Sequence, residues 1–382
     1  MGFHEFSSPY DWSRIAAYKR TAKAAFGGMI DLSVGSPVDP VPDSVRKALA
    51  AAANDPNAYG YPATAGTADL RAAIAEWFSA ARNVDLQAIH ADVVPTVGSK
   101  EGVALMASLL HFGEDDVVVQ PKVSYPTYEI GTQLAGAQVL KVDDVADVAS
   151  WRNVPGVKAV WVNSPCNPTG EVYSAERMAG IVAAVREIGA VVLSDECYAL
   201  MQWRGATNSA DDDPLQSTPC ALRSDVCAGS AEGVLVLYSL SKQSNMAGYR
   251  TAFIAGDESL IASMSAYRKQ IGQIIPGPVQ AAMAAGLRDL ESVKVQHVRY
   301  RERLGVLVSA LRAYGYCTDM PDGALYVWVR AKSGDCWTDM EQLAKIGIIA
   351  SPGEFYGAPE CLRFSATASD EAIASAAERL AR

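Results

Sequence analysis

The middle of the chain alternates short β-branched runs with runs of helical period, and that order narrows the fold more than any other feature. Residues 117–119 are apolar and bounded by acids and Pro121. Residues 158–162 (KAVWV) read as a buried strand ending at Asn163. Ser174 stands where it can cap a helix whose Met178, Ile181, Val182 and Val185 fall at i, i+3, i+4 and i+7, and Gly189 closes it. Residues 191–193 form the next strand, ending at Asp195, and residues 234–237 another, ending near Ser239. Strand–helix–strand order with apolar strands predicts an α/β domain with a mostly parallel central sheet flanked by helices. In such sheets ligands sit beyond the carboxyl ends of the strands, so the polar residues there are the ones to read.

From about Ile275 the pattern changes. A long helical stretch over 287–311 precedes short strands near 326–329 and 362–364, which predicts a smaller α+β domain. The expected division is 1–35 as an N-terminal segment joining the small domain, 36–275 as the large domain and 276–382 as the small one. Residues 204–233, with acids at 211–213 and many Ser, Gly, Ala and Pro, read as a solvated surface loop.

Charge and cysteine usage exclude several functions. Lys+Arg is 33 and Asp+Glu 43, a net charge of −10 without a basic cluster, so neither nucleic acid nor an anionic membrane is an expected partner. No apolar run reaches membrane-spanning length, and the N-terminus has neither a basic region nor an apolar core of a signal peptide. The seven cysteines are scattered without a CxxC, and the four histidines are scattered too. The expectation is a cytoplasmic protein without a disulfide framework or a metal.

Four elements carry chemistry. Ser239-Leu240-Ser241-Lys242 follows a buried strand, with Arg250 eight residues after the lysine. A buried lysine amine is a nucleophile toward carbonyls and forms Schiff bases, including with pyridoxal phosphate, and hydroxyls with a guanidinium suit a phosphate. The same string also reads as a strand end with a solvated lysine. Residues 163–170 (NSPCNPTG) form a βα turn in which Asn167 either only turns the chain or donates to a ligand oxygen. Asp195, followed by Glu196, Cys197 and Tyr198, either caps the next element or pairs with a ring-nitrogen cation. Gly98-Ser99-Lys100-Glu101-Gly102 opens a helix whose N–H groups suit phosphate, although a capping Ser99 explains it equally well.

Their ordered combination is specific. GSKEG, SYPTY, NSPCNPTG, DECY, SLSK with its distant arginine, and LRFS together resemble the fold-type I, class I/II aminotransferases, from about Ile30 to the C-terminus. The resemblance implies pyridoxal 5′-phosphate as cofactor and Lys242 as the Schiff-base lysine. Asp195 would face the pyridine nitrogen, while Asn167 and Tyr198 hold the phenolic oxygen. Ser99, Lys100, Ser239, Ser241 and Arg250 fall at phosphate-cradle positions, and Tyr125 at the ring-stacking one. Arg363 matches the arginine that holds the substrate α-carboxylate, with Asn167 and Gly35 beside the substrate. Tyr61 matches a tyrosine that reaches the phosphate of a neighbouring subunit, which implies a homodimer with shared sites. Strings such as DLSVGSPVDPVP, GYPATAGTADLR, PGPVQAAM and LRFSATASD are most similar to the N-succinyl-LL-diaminopimelate aminotransferases of lysine and diaminopimelate biosynthesis. That closer likeness implies glutamate and 2-oxoglutarate as the second pair of amino and oxo acids. Alternatives on the same scaffold are an aspartate, aromatic or LL-diaminopimelate aminotransferase, a pyridoxal-phosphate C–S lyase, and a cofactor-sensing regulator. The acidic charge and the short N-terminal extension argue against the regulator.

Overall fold

The computed structural model describes residues 10–56, 58–203 and 218–382. Its centre is a seven-stranded sheet. In spatial order the strands are Ala91–Val97, Thr251–Asp257, Val234–Ser239, Val191–Asp195, Val157–Asn163, Val117–Pro121 and Gln138–Val142. From Val234–Ser239 to Gln138–Val142 every neighbouring pair is parallel. Thr251–Asp257 runs against both of its neighbours. The mostly parallel α/β sheet expected from the sequence is therefore present, with one reversed strand that the apolar runs did not reveal.

Strand residues alternate between two buried clusters. Val160, Val162, Val192, Val234 and Val236 pack with Met178, Ile181, Val182 and Val185 of the helix Ala175–Glu187. Ala159, Trp161, Leu193, Leu235 and Leu237 face Val103, Met106 and Leu109 of the helix Ser99–Leu109. Apolar side chains on both faces are what a helix-covered parallel sheet requires. Ser174 does cap its helix, accepting from the Arg177 N–H at 3.2 Å.

The long helical stretch expected over 287–311 is one helix, Leu290–Ala313, for all but its first residues, which end a preceding helix, Gly277–Arg288. Asp289 breaks it: its φ is −89° and its ψ 66°, and its carboxylate accepts from the Ser292 N–H at 3.0 Å. A side chain that satisfies free amides starts a new helix where periodicity alone would continue the old one.

A third buried cluster joins Leu304, Leu311, Tyr326, Leu343, Leu362, Phe364 and Leu380 to Ile15, Ala22, Ile30 and Leu32. Ile30 and Asp31 pair in parallel with Ile348 and Ile349. Beside them Tyr326–Arg330, Cys361–Ser365 and Ser351–Pro352 form a three-stranded antiparallel sheet.

Of the loop expected over 204–233, residues 204–217 lie outside the described residues. Its downstream part corrects the expectation of a solvated surface. Thr218, Cys220, Ala221 and Leu222 are buried. The cause is a buried ion pair: Arg82 bonds Glu196 at 2.7 Å and donates to the carbonyls of Thr218 (3.2 Å) and Pro219 (2.9 Å). Glu196 in turn accepts from the Ala221 N–H at 2.8 Å. Among the described residues no helix is long and apolar enough to cross a membrane.

Candidate active site

A cavity of about 370 Å³ lies beyond the carboxyl ends of the parallel strands. Its lining includes Gly35, Ser99, Lys100, Tyr125, Asn167, Asp195, Tyr198, Ser239, Ser241, Lys242, Arg250 and Arg363. Every site residue expected from the sequence is thus in one cavity except Tyr61, which is fully exposed at the surface.

Three parallel strands deliver the middle of the site. Val157–Asn163 ends at Asn163, whose side chain donates to the Asp195 carbonyl (2.8 Å) and accepts from the Asn167 N–H (2.8 Å), fixing the turn that carries Asn167. Val191–Asp195 ends at Asp195. One carboxylate oxygen accepts from the Cys197 N–H at 3.1 Å and the other from the Tyr128 hydroxyl at 2.8 Å. Burial pushes this carboxyl above its ordinary range, and the Cys197 and Tyr128 hydrogen bonds pull it back in part. Val234–Ser239 ends at Ser239, which accepts from the Ser241 N–H at 3.1 Å and starts the short turn of helix Leu240–Gln243. That turn presents Lys242, whose amine donates to the Gly35 carbonyl. Burial lowers the Lys242 ammonium below its ordinary value.

The reversed strand adds Arg250. Its backbone is in the left-handed region, φ 57°, which is uncommon for a residue with a side chain. Its guanidinium donates to the Ala247 carbonyl at 2.9 Å. Gly98 separates Ala91–Val97 from Ser99–Leu109 at φ 79°, and a Cβ there would sit 2.0 Å from the Arg250 guanidinium. The positive φ is what favours glycine here, while the mobile end of the Arg250 side chain would have to move aside for a Cβ. The Ser99 alternative is resolved: Gly98 holds the N-cap position, no side chain caps the helix, and Ser99 is its first residue. The helix start therefore offers amides toward the cavity beside Ser239, Ser241 and Arg250.

Arg363 closes the site from the small sheet. Leu362 and Phe364 are fully buried on the other face of its strand. Its guanidinium donates to the Asn167 side-chain oxygen (2.8 Å) and the Ser33 carbonyl (2.7 Å). It also lies 3.9 Å from the Tyr326 ring centroid and 4.8 Å from that of Tyr356. Its Nε is buried without a partner. The Tyr198 and Tyr326 hydroxyls are 2.7 Å apart, and a Cβ on Gly35 would collide with Tyr326. Burial first, then Tyr326, raises the Tyr198 phenol well above its ordinary value.

Sequence reasoning missed Tyr10, Trp12, Asn163, Cys197, Tyr326 and Tyr356, which also line the cavity, and Tyr128 behind it. Asn163 and Tyr128 had a signal: one ends a strand and the other lies three residues past Tyr125. Tyr326 and Tyr356 had none, since only the small sheet and the turn Gly353–Tyr356 between two of its strands bring them there. Among the described residues no group of three His, Cys, Asp or Glu side chains is placed to hold a metal.

Residues 27–380 match the family described as aminotransferase class I and II. Over 373 residues the chain is 40% identical to a 4-dedimethylamino-4-oxo-anhydrotetracycline transaminase from Streptomyces rimosus, covering 97% of this chain and 98% of that one. It is 39% identical to a probable aminotransferase of Mycobacterium tuberculosis, covering 97% of this chain and 84% of that one. Among solved structures it is similar to a probable N-succinyldiaminopimelate aminotransferase from Thermus thermophilus, with a TM-score of 0.81 and 27% identity over 97% of this chain and 99% of that one.

Proposed function

The chain belongs to the class I and II aminotransferases, whose cofactor is pyridoxal 5′-phosphate, and from that premise we propose that it exchanges an amino group between glutamate and N-succinyl-2-amino-6-oxopimelate, giving N-succinyl-LL-diaminopimelate. The residues fit the cofactor. A buried carboxylate, Asp195, suits a cationic ring nitrogen. Ser239, Ser241, Arg250 and the amides after Gly98 suit a phosphate, and Lys242 supplies the amine that holds the aldehyde covalently.

Bound cofactor supplies the electron sink for a substrate carbanion. The chain does the rest. Arg363 grips the α-carboxylate through a charge-assisted fork and so orients the α-C–H. Lys242 Nζ, its ammonium made more acidic by burial, takes the α-proton as general base and returns it as general acid. Asp195 stays ionised against the ring-nitrogen cation. Tyr198 and Asn167 would hold the phenolic oxygen, and Tyr125 would pack on the ring. Tyr61, exposed on this chain, reaches the phosphate of a partner copy in a homodimer.

The substrate reading rests on one observation: of the four cations lining the cavity, Lys242 and Arg250 serve the cofactor, which leaves Arg363 in Cys361–Ser365 and, if it is not taken up by the phosphate as the resemblance implied, Lys100 in Ser99–Leu109 on different elements. Lys100 lies 5.7 Å from the Tyr10 ring centroid and 5.9 Å from that of Tyr125. A long substrate with carboxylates at both ends and a methylene middle engages both cations along an aromatic wall. The likeness to the Thermus protein supports the same reading. A second reading, a polycyclic ketone acceptor, is favoured by the Streptomyces relative and by the aromatic rim of Tyr10, Trp12, Tyr125 and Tyr356. Comparing kcat/KM for N-succinyl-LL-diaminopimelate, LL-diaminopimelate, aspartate and a polycyclic amine decides between them. A clear preference for any but the first overturns the proposal.

A further inference from the structure

Tyr128 touches the site from behind. It sits in the first turn of the helix Thr127–Leu134 and is buried, and its ring stacks on Trp161 at 4.4 Å and 14°. It meets Tyr125 edge-on at 5.6 Å. Its hydroxyl donates at 2.8 Å to the Asp195 oxygen that the Cys197 N–H does not use. The ring is thus locked by two aromatic neighbours, and its single polar atom points at the one carboxylate on the cavity floor.

We propose that Tyr128 is a positioning residue that keeps Asp195 ionised and aimed at the cofactor's ring nitrogen. The proposal rests on the aminotransferase reading of the site. A buried carboxylate without donors takes up a proton and then no longer counters a ring-nitrogen cation. The groups facing Asp195 show how few donors it has. Glu196 on its own segment repels its charge. Tyr125 from the turn before the helix Thr127–Leu134 and Cys166 from the turn after Val157–Asn163 are neutral groups that feel that charge without relieving it. Cys197 and Tyr128 provide the hydrogen bonds that favour the ionised form. Lys242 shares the cavity but is bonded to Gly35. Tyr128 is the donor contributed by another element. Its lock on Trp161 and Tyr125 fixes the carboxylate's direction as well as its charge.

Tyr128→Phe keeps the ring and removes only the donor. In the holoenzyme loaded with cofactor labelled with ¹⁵N in the ring, the nitrogen resonance at neutral pH should move from the protonated toward the unprotonated position. In the apo-protein the Asp195 carboxyl, assigned by its loss in Asp195→Asn, should titrate about one pH unit higher than in the wild type. kcat should fall about tenfold while KM for the amino donor stays within about twofold. Tyr128→His, which keeps an N–H donor on a shorter ring, should fall between the two and serves if the phenylalanine variant is unstable. If neither variant moves the nitrogen resonance while Asp195→Asn does, Tyr128 is only a packing residue and the proposal fails. If Asp195→Asn leaves the resonance unmoved, the role of Asp195 itself is wrong.

Discussion

Replacing Arg363 by lysine tests the grip on the α-carboxylate most directly. The guanidinium is buried at 4% exposure, and two of its donors are already engaged by Asn167 and Ser33. Nε–H is buried without a partner. The rings of Tyr326 and Tyr356 fix the plane of the group, so its remaining N–H groups form a rigid fork. A lysine keeps the charge but has one nitrogen, which cannot serve Asn167, Ser33 and both carboxylate oxygens together. Losing one charge-assisted hydrogen bond to a desolvated carboxylate costs about 2 kcal/mol, or roughly thirtyfold in affinity. The Kd of glutamate, and of the unreactive analogue 2-methylglutamate, should therefore rise by that factor in Arg363→Lys when followed by the cofactor's absorbance. The rate with a simple amine lacking a carboxylate should not change. Equal losses for amine and amino acid would mean that the substitution damages the site generally, and unchanged affinity for both would refute the grip.

Mixing Tyr61→Ala with Lys242→Ala chains, each weak or inactive alone, should rebuild one complete site in each mixed dimer and recover roughly a quarter of wild-type activity, as random pairing dictates. No recovery despite proven exchange would show that Tyr61 serves only its own chain. Glu196→Gln leaves Arg82 charged and buried beside a neutral partner, so unfolding should become easier by about 3–5 kcal/mol, read from denaturant midpoints. A change below about 1 kcal/mol would refute the pair's structural importance. Because burial depresses the Lys242 ammonium, the unfolded chain binds the extra proton. The apo-protein should therefore gain stability as pH rises from the folded value toward the ordinary 10.5, by comparison with Lys242→Met. Parallel melting curves for the two proteins across that window would contradict it.

What was legible in the sequence follows from where each signal lives. Asp195, Asn167 and Lys242 directly follow apolar strands, and strand ends in parallel sheets converge, so their meeting in one cavity was foreseeable. Arg363 carried no local signal beyond the resemblance, because its meaning depends on the small sheet turning Leu362 and Phe364 away from the site. The reversed strand escaped notice because an apolar run does not encode its direction. Thr218–Leu222 looked like solvated loop because composition cannot show that Arg82, more than a hundred residues earlier, draws that backbone inward. The helix break at Asp289 was hidden by the continuing apolar period on either side.

The reversal of Thr251–Asp257 also sets where this chain tolerates changes in length. A parallel crossover can lengthen on the far side of the sheet while both its strand ends stay in place. Lys242 and Arg250 have no such crossover between them. They stand at two adjoining strand ends on the same edge of the sheet, joined by residues 243–249 alone. One added residue there would push the arginine along by up to about 3.4 Å, more than a hydrogen bond can span. The segment works as a fixed ruler between the amine and the phosphate side of the cavity. Insertions for engineering belong in the helical crossovers, and a single deletion between 243 and 249 should release the cofactor while leaving the sheet intact.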